Sequence, residues 1–188
     1  ILEPILQNIG IVKPLPGYLE GLRQVCSEND VVLVFDEVKT GFRHALGGFQ
    51  TICGVTPDLS VFGKALANGF PMGAIGGRAD LMEYFVHSDP AKRVLIAGTY
   101  NAHPVACAAT IATLEKLSRE GGACYQMLDE RGQQMEEGLV EVFTSASVTV
   151  TIARQGSAFC AYFMDRAPTD WHDVAEHHDF DYDAAYRR

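Results

Sequence analysis

Hydrophobic and polar positions along the first 120 residues change between a helical and a strand-like spacing. After Pro16 the apolar residues recur every three or four positions, which predicts an amphipathic helix. The next apolar run is continuous, β-branched and aromatic, and it predicts a central strand over 31–36, covered on both faces. Residues 39–57 are rich in glycine and predict an irregular connection. The further elements predicted in this part are strands over 59–62 and 71–77, a short helix after Gly77, and a helix over 104–119.

The pattern changes after residue 120. A long helical spacing predicts a helix over about 123–143. Two alternating stretches, 148–153 and 157–164, predict a hairpin that turns at Arg154-Gln155-Gly156. The acidic stretch DWHDVAEHHDFDYD that follows predicts a surface linker or a helix.

This order of elements predicts an α/β chain with two domains. Alternating strands and helices over 1–120 indicate a large α/β domain, and the helix and hairpin over 121–188 indicate a smaller α+β domain. The chain begins ILEPI, at what the pattern indicates is the tail of a strand, and it ends AAYRR within a predicted helix. We therefore expect it to be a segment of a longer protein.

Composition and charge narrow the classes of protein that fit. The 188 residues are 47% hydrophobic and 21% charged, which is typical of a globular protein. A formal net charge of −9 provides no basic surface for nucleic acid, and no apolar run approaches the roughly 18–20 residues that span a bilayer. No charged-then-apolar leader opens the chain. We expect a cytoplasmic protein without nucleic-acid or membrane partners.

Cysteine and histidine spacings argue against a disulfide framework and a metal site. The number of cysteines is odd and no two have the CxxC spacing, which favours reduced thiols. Three histidines cluster near the end of the chain, but their spacing does not align three imidazoles on one helical face. These histidines are His172, His177 and His178.

Two polar residues that follow predicted strands carry the candidate chemistry. Asp36 ends one strand, and Lys64 follows the next strand after Gly63. Adjacent parallel strands joined by a crossover would place both at one edge of the sheet, where open α/β sheets bind ligands. A lysine amine can form a Schiff base with a carbonyl, and pyridoxal phosphate (PLP) needs such a lysine and a carboxylate for its ring nitrogen. Taken alone, Asp36 also fits a turn cap and Lys64 a surface lysine, so the surrounding sequence decides.

The surrounding sequence resembles the class III PLP-dependent aminotransferases, and within them the glutamate-1-semialdehyde aminomutase group. The agreement runs in unbroken order over residues 1–117, and 118–188 fits the smaller domain in pattern. The resemblance implies the PLP-dependent transferase fold type I, with a mixed sheet in the large domain. The segments that carry it are EPILQNIG, LVFDEVKTGFR, DLSVFGKALANGFPMGAIGGRADLM and AGTYNAHPVACAA.

The resemblance implies roles for four residues. Lys64 would bind PLP as a Schiff base and then move the proton of the substrate's Cα. Asp36 would pair with the pyridinium nitrogen, and Val38 would pack beneath the cofactor ring. Thr99 would bind the cofactor phosphate of the neighbouring subunit, because the family builds its sites across a homodimer interface. The substrates would be a small amino acid or amine and a keto or aldehyde acceptor.

Four further residues are possible supports of this site. Glu37 is either a supporting residue or a hydrogen-bonded carboxylate at the strand end. Arg43 could contact a substrate carboxylate, although a structural salt bridge is favoured. Asn8 is similar to the aminomutase-like group, and His103 is expected to cap a helix, with a minor role near Thr99 left open.

Other interpretations of the sequence stay open. LANGFP and NAHP differ from the aminomutases proper, so a related transaminase is an alternative to an aminomutase. A catalytically inactive fragment or scaffold of the fold is a second alternative, since the family's phosphate-binding loop would precede Ile1. VVLVFDE also fits the Walker B strand of an ATPase, but GKA at 63–65 fails the first glycine and last position of the phosphate loop.

Overall fold

The structure, a computed structural model, describes residues 1–186 of the chain. The chain divides into two compact units. The first unit holds Ile1–Pro4 and Gly17–Arg119, and the second holds Ile5–Pro16 together with the residues from Glu120 onward. Arg187 and Arg188, the end of the predicted terminal helix, lie outside the described residues.

The first unit is built from a small mixed sheet and helices. Its predicted strand over 59–62 is confirmed at both ends, and the predicted helix over 104–119 ends one residue earlier. The elements in chain order are α1 (Tyr18–Glu28), β1 (Val34–Glu37), α2 (Phe49–Cys53), β2 (Leu59–Phe62), a 3-10 turn (Lys64–Leu66), β3 (Ala74–Gly77), α3 (Ala79–Met82), a second 3-10 turn (Glu83–Phe85) and α4 (Pro104–Ser118).

Three predictions about this unit were wrong in part, and one of them is the strand predicted over 71–77, which begins at Ala74. The first strand begins at Val34 rather than at residue 31, and Val31 and Val32 are exposed instead of covered on both faces. The connection over 39–57, predicted to be irregular, contains the short helix α2. This helix escapes a sequence pattern because five residues are too few to show a helical period.

The sheet brings β1 and β2 together as parallel neighbours. The strand order is β1-β2-β3, with β2 and β3 antiparallel. Leu2 extends the sheet on the other side of β1, where its N–H donates to the Val34 carbonyl and its carbonyl accepts from the Asp36 N–H. Leu33 and Phe35 are buried in the core of this unit.

The carboxylate of Asp58 joins the opposite end of these strands. It accepts the Leu33 N–H at 2.7 Å and the guanidiniums of Arg23 and Arg78 at 2.8 and 3.0 Å. Burial raises the pKa of Asp58, but the Leu33 N–H and the two guanidiniums outweigh it and hold the pKa at about 2. Asp58 thus ties α1, β1 and the end of β3 to the start of β2.

The second unit packs a long helix against a hairpin. Arg154 donates to Asp129 and Glu136, which lie on the helix, at 2.6 Å each. The hairpin turn falls at Gly156-Ser157, later than predicted. The acidic stretch after the hairpin forms two short helices. The elements are α5 (Ala123–Ser145), β4 (Thr151–Gln155), β5 (Ala158–Tyr162), α6 (Trp171–His177) and α7 (Phe180–Tyr186). Among residues 1–186, no helix is long and apolar enough to cross a membrane.

Candidate active site

The parallel register of β1 and β2 places Asp36 and Lys64 at one edge of the sheet. Asp36 pairs with Val61 across the two strands, and Glu37 pairs with Phe62, the last residue of β2. Lys64 follows Phe62 by two residues and opens a 3-10 turn. The two residues that the sequence singled out therefore leave neighbouring strands at the same end, where open sheets bind ligands.

Asp36 and Glu37 point to opposite faces of the sheet because side chains alternate along a strand. Glu37 is fully buried, whereas Asp36 is half-buried. The Oδ1 atom of Asp36 accepts the Val38 N–H at 3.0 Å. No hydrogen bond to its Oδ2 atom is present among residues 1–186, so this oxygen is available to a donor from a ligand.

Lys64 combines an exposed side chain with an unusual backbone conformation. Its φ is 44°, in the left-handed region that a residue with a Cβ adopts at an energetic cost. Such conformations persist where the surrounding structure determines them, and they cluster at functional sites. Lys64 thus combines an exposed amine with a backbone conformation that it shares with Phe42 and Asn68 nearby in the chain.

Val38 lies against the residue that precedes Lys64. A Cβ atom on Gly63 would stand 3.4 Å from Val38 Cγ1, which is close packing with little space left. Gly63 is buried, and its carbonyl accepts the Leu66 N–H at 2.9 Å. Val38 therefore presents an apolar surface directly beside the start of the Lys64 turn.

Glu37 is held by donors on both of its carboxylate oxygens. Oε2 accepts from Thr40 Oγ1 at 2.7 Å and from the Phe49 N–H at 2.8 Å. Oε1 accepts from the Gln50 N–H at 2.9 Å and from Gln50 Nε2 at 3.4 Å. These contacts make Glu37 the hydrogen-bonded strand-end carboxylate that the sequence allowed, and they explain why α2 forms where it does.

Arg43 and His44 follow in the same connection. Arg43 is exposed, and the favoured structural salt bridge is not found, because no carboxylate lies within 4.0 Å of its guanidinium in the described part of the chain. His44 is buried against the ring of Phe49. Burial, with the charge of Arg43 acting in the same direction, lowers the pKa of His44 to about 4.

The other candidates belong to other segments of the chain. Thr99 is exposed in the connection that leads to α4. His103 occupies the N-cap position of α4, but its ring makes no capping hydrogen bond, so the predicted cap is limited to its backbone. Asn8 belongs to the second unit, in the turn that precedes Ile11.

A cavity of about 610 Å³ borders the sheet in the first unit, and the sequence patterns did not indicate it. Val61 and Phe62, at the end of β2, line it together with Ala74 and Ile75, at the start of β3. Tyr100 and Asn101, which follow Thr99, line its other side. No group of three or more histidine, cysteine, aspartate or glutamate side chains within residues 1–186 could hold a metal ion.

Comparisons with known proteins agree on one family. The model of the family "Aminotransferase class-III" matches residues 1–179. A curated relative, glutamate-1-semialdehyde 2,1-aminomutase of Citrifermentans bemidjiense, is 42% identical over 176 residues, covering 94% of this chain and 40% of the relative. The chain thus spans about 40% of the length of the curated relatives it matches.

Two solved structures show the same arrangement of elements. An omega-transaminase from Sphaerobacter thermophilus superposes with a TM-score of 0.82 at 34% identity, over 92% of this chain and 39% of the neighbour. A glutamate-1-semialdehyde aminomutase from Pseudomonas aeruginosa in complex with PMP superposes with a TM-score of 0.79 at 25% identity, over 95% and 40%. These likenesses confirm the predicted α/β fold class, part of the type I transferase fold with a mixed sheet.

Proposed function

The chain belongs to the class III aminotransferase family, and from this premise we propose that it supplies the lysine and the aspartate of a PLP-dependent site for amino-group transfer. The observation that carries the proposal is the parallel register of β1 and β2, which places Asp36 and Lys64 at one edge of the sheet. The substrates are a small amino acid or amine and a keto or aldehyde acceptor. The family assignment also accounts for VVLVFDE without a Walker B role.

The residues at this edge fit PLP in chemistry and in exposure. The Lys64 amine is exposed, as bond formation with an aldehyde requires. The free Oδ2 position of Asp36 suits a ring N–H donor, and Val38 offers an apolar contact beside Gly63. A lysine, a carboxylate and an apolar surface are the groups that a PLP ring needs from its large domain.

In the proposed mechanism each residue acts at a stated atom. When bound, PLP supplies an electron sink for the electron pair left at the substrate's Cα. Lys64 Nζ would hold the cofactor at its aldehyde carbon, and as a free amine it would act as the base that takes the substrate's Cα proton. Asp36 would accept a hydrogen bond from the N–H of the ring nitrogen, and its negative charge would keep that nitrogen protonated. Val38 would offer the cofactor an apolar contact beside Gly63 and would help to exclude water there.

Thr99 and the supporting residues extend the proposal to a homodimer. The Thr99 hydroxyl is exposed, and we propose that it binds the cofactor phosphate in the site of a second copy of the chain. Arg43, also exposed and without an ion pair to any described residue, is proposed to contact a substrate carboxylate. His103 is proposed as a further support of the same site.

Reduction with borohydride in the presence of PLP tests the assignment of Lys64. We expect one phosphopyridoxyl group on the peptide that contains Lys64, because reduction fixes a Schiff base as a stable amine. Lys64→Arg should lose this label, and Lys39→Arg, which removes a neighbouring half-buried lysine, should keep it. A full-length protein labelled equally in wild type and Lys64→Arg would show that the proposal is wrong.

Product analysis then separates the two forms of amino-group transfer. In transamination a ¹⁵N-labelled donor passes its nitrogen to a different acceptor molecule. In an aminomutase the product carries an amino group at a neighbouring carbon of the same skeleton, and no separate acceptor is needed. Incubation of the unreduced, PLP-loaded protein with the ¹⁵N-labelled donor, with and without an added keto acid, distinguishes these reactions.

A further inference from the structure

Glu37 is a buried carboxylate to which the proposed mechanism gives no part. It lies on the face of β1 opposite to Asp36, and its side chain has no exposed area. All four groups that approach its two oxygens are hydrogen-bond donors. A carboxylate satisfies four donors, whereas an amide must turn its own NH₂ group toward some of them.

These donors connect three parts of the first unit. Thr40 belongs to the turn that follows β1, while Phe49 and Gln50 belong to α2. Gln50 Nε2 also donates to Ser60 Oγ on β2 at 3.1 Å. Glu37 therefore links the turn after β1 to the strand that leads to Lys64.

The turn held by Glu37 has little freedom to move. The carbonyl of Glu37 accepts the Gly41 N–H at 2.8 Å, and a Cβ on Gly41 would stand 2.5 Å from the ring of Phe62. The ring of Phe42 lies 5.2 Å from that of Phe62, centroid to centroid. Gly48, directly before α2, lies against the Glu37 side chain, since a Cβ on Gly48 would come within 2.6 Å of the carboxylate. A change at Glu37 must therefore be transmitted to the turn.

We propose that Glu37 is a positioning residue: its hydrogen bonds hold the turn over 38–43 so that Val38 stays packed against Gly63, next to Lys64. This inference rests on the proposed function, because Val38 matters there as the surface beneath the cofactor ring. Loss of the hydrogen bonds shifts Val38 relative to Gly63 and changes the environment of a ring bound at Lys64. The Lys64 amine itself remains in place, because the backbone pairing of β1 with β2 does not depend on the side chain of Glu37.

Glu37→Gln tests the proposal against a matched control, Asp58→Asn. Asp58 is likewise a buried carboxylate with backbone and side-chain donors, but it joins the opposite end of the same strands. Both variants should unfold at lower urea concentration than wild type. Amide hydrogen exchange, measured without cofactor, should distinguish them. Only Glu37→Gln should exchange faster at Val38, Gly41 and Arg43, by about tenfold or more.

With PLP bound, the two variants should differ again. Borohydride reduction of Glu37→Gln should still label Lys64. Before reduction, the absorption maximum of its bound PLP should be shifted, and its dissociation constant for PLP should be raised about tenfold. We expect its kcat to fall by tenfold or more while KM changes less than threefold. Asp58→Asn should keep the wild-type spectrum, dissociation constant and kcat.

The outcomes separate this inference from the proposed function. Wild type without a label at Lys64 overturns the proposed function and this inference with it. A labelled wild type whose exchange rates and spectrum are the same in Glu37→Gln overturns the positioning role alone. If Glu37→Gln does not fold, Thr40→Val removes one of the four donors with little change in volume, and the same measurements apply to it with smaller expected effects.

Discussion

The backbone of Lys64 shows how a single residue can carry both a function and an energetic cost. At φ 44° a residue with a Cβ is destabilised by about 1–2 kcal/mol relative to its usual regions. Glycine has no such penalty, although it gains more entropy on unfolding. We therefore expect Lys64→Gly to be more stable than Lys64→Ala by about 0.5–1 kcal/mol. Urea unfolding of the two variants measures this difference.

A neighbouring position provides the control for this prediction. Ala65 lies in the same 3-10 turn without a positive φ, so Ala65→Gly should destabilise the protein by about 0.5–1 kcal/mol. If Lys64→Gly is less stable than Lys64→Ala, the lysine backbone is not strained. In that case the conformation would no longer support a functional role for Lys64.

The sequence predicted Asp36 and Lys64 as candidates because the strand ends and the family resemblance around them are visible locally. A buried apolar run that ends on a carboxylate, and a lysine after a glycine at the next strand end, are visible within a few residues. The contacts of Glu37 cannot be read from nearby residues. Its donors Phe49 and Gln50 follow 12 and 13 positions later, in a connection that shows no helical period. The left-handed conformation of Lys64 is likewise imposed by the fold and leaves no trace in the residue type.

At the scale of elements, the contact between α5 and the hairpin depends on one glycine between two acidic residues. Asp129, Gly132 and Glu136 lie on one face of α5, and the two carboxylates bind Arg154 of the hairpin. Arg154 also donates to the Gly156 carbonyl at 2.8 Å. The hairpin turn is thereby held against the helix at the place where the helix has no side chain.

Gly132→Ala should therefore destabilise the second unit although alanine favours helices. A Cβ at Gly132 would stand 2.1 Å from the Gly156 carbonyl oxygen, which is backbone and cannot rotate away. We expect a loss of about 1–3 kcal/mol in the free energy of unfolding, as for overpacked cores. Gly138→Ala on the same helix meets nothing within 4 Å and should stabilise by about 0.5–1 kcal/mol. Thermal unfolding of both variants measures the contrast, and equal effects would contradict the close contact.

At the scale of the whole molecule, two buried groups should dominate how acid affects the first unit. His44 has its pKa lowered to about 4 from an ordinary 6.5, so the folded state resists its protonation and stability is lost as the pH falls from about 6.5 to 4. Asp58 has its pKa lowered to about 2 from 3.8, so its contribution is present above about pH 4 and lost between about pH 4 and 2. The two groups therefore act in separate pH ranges.

Two variants should show these ranges one at a time. Glutamine at position 44 cannot gain a proton. Between pH 6.5 and 4 the free energy of unfolding of wild type should therefore fall by about 1–3 kcal/mol relative to that of His44→Gln. Asp58→Asn should be less stable than wild type by about 2–4 kcal/mol at pH 7, and this difference should shrink between pH 4 and 2 as wild-type Asp58 gains its proton. Urea unfolding, followed by circular dichroism at each pH, gives the difference in the free energy of unfolding between wild type and each variant. Other carboxylates do not contribute to this difference because they titrate alike in both proteins. Differences that stay constant with pH would mean that the fold lowers the pKa of neither group.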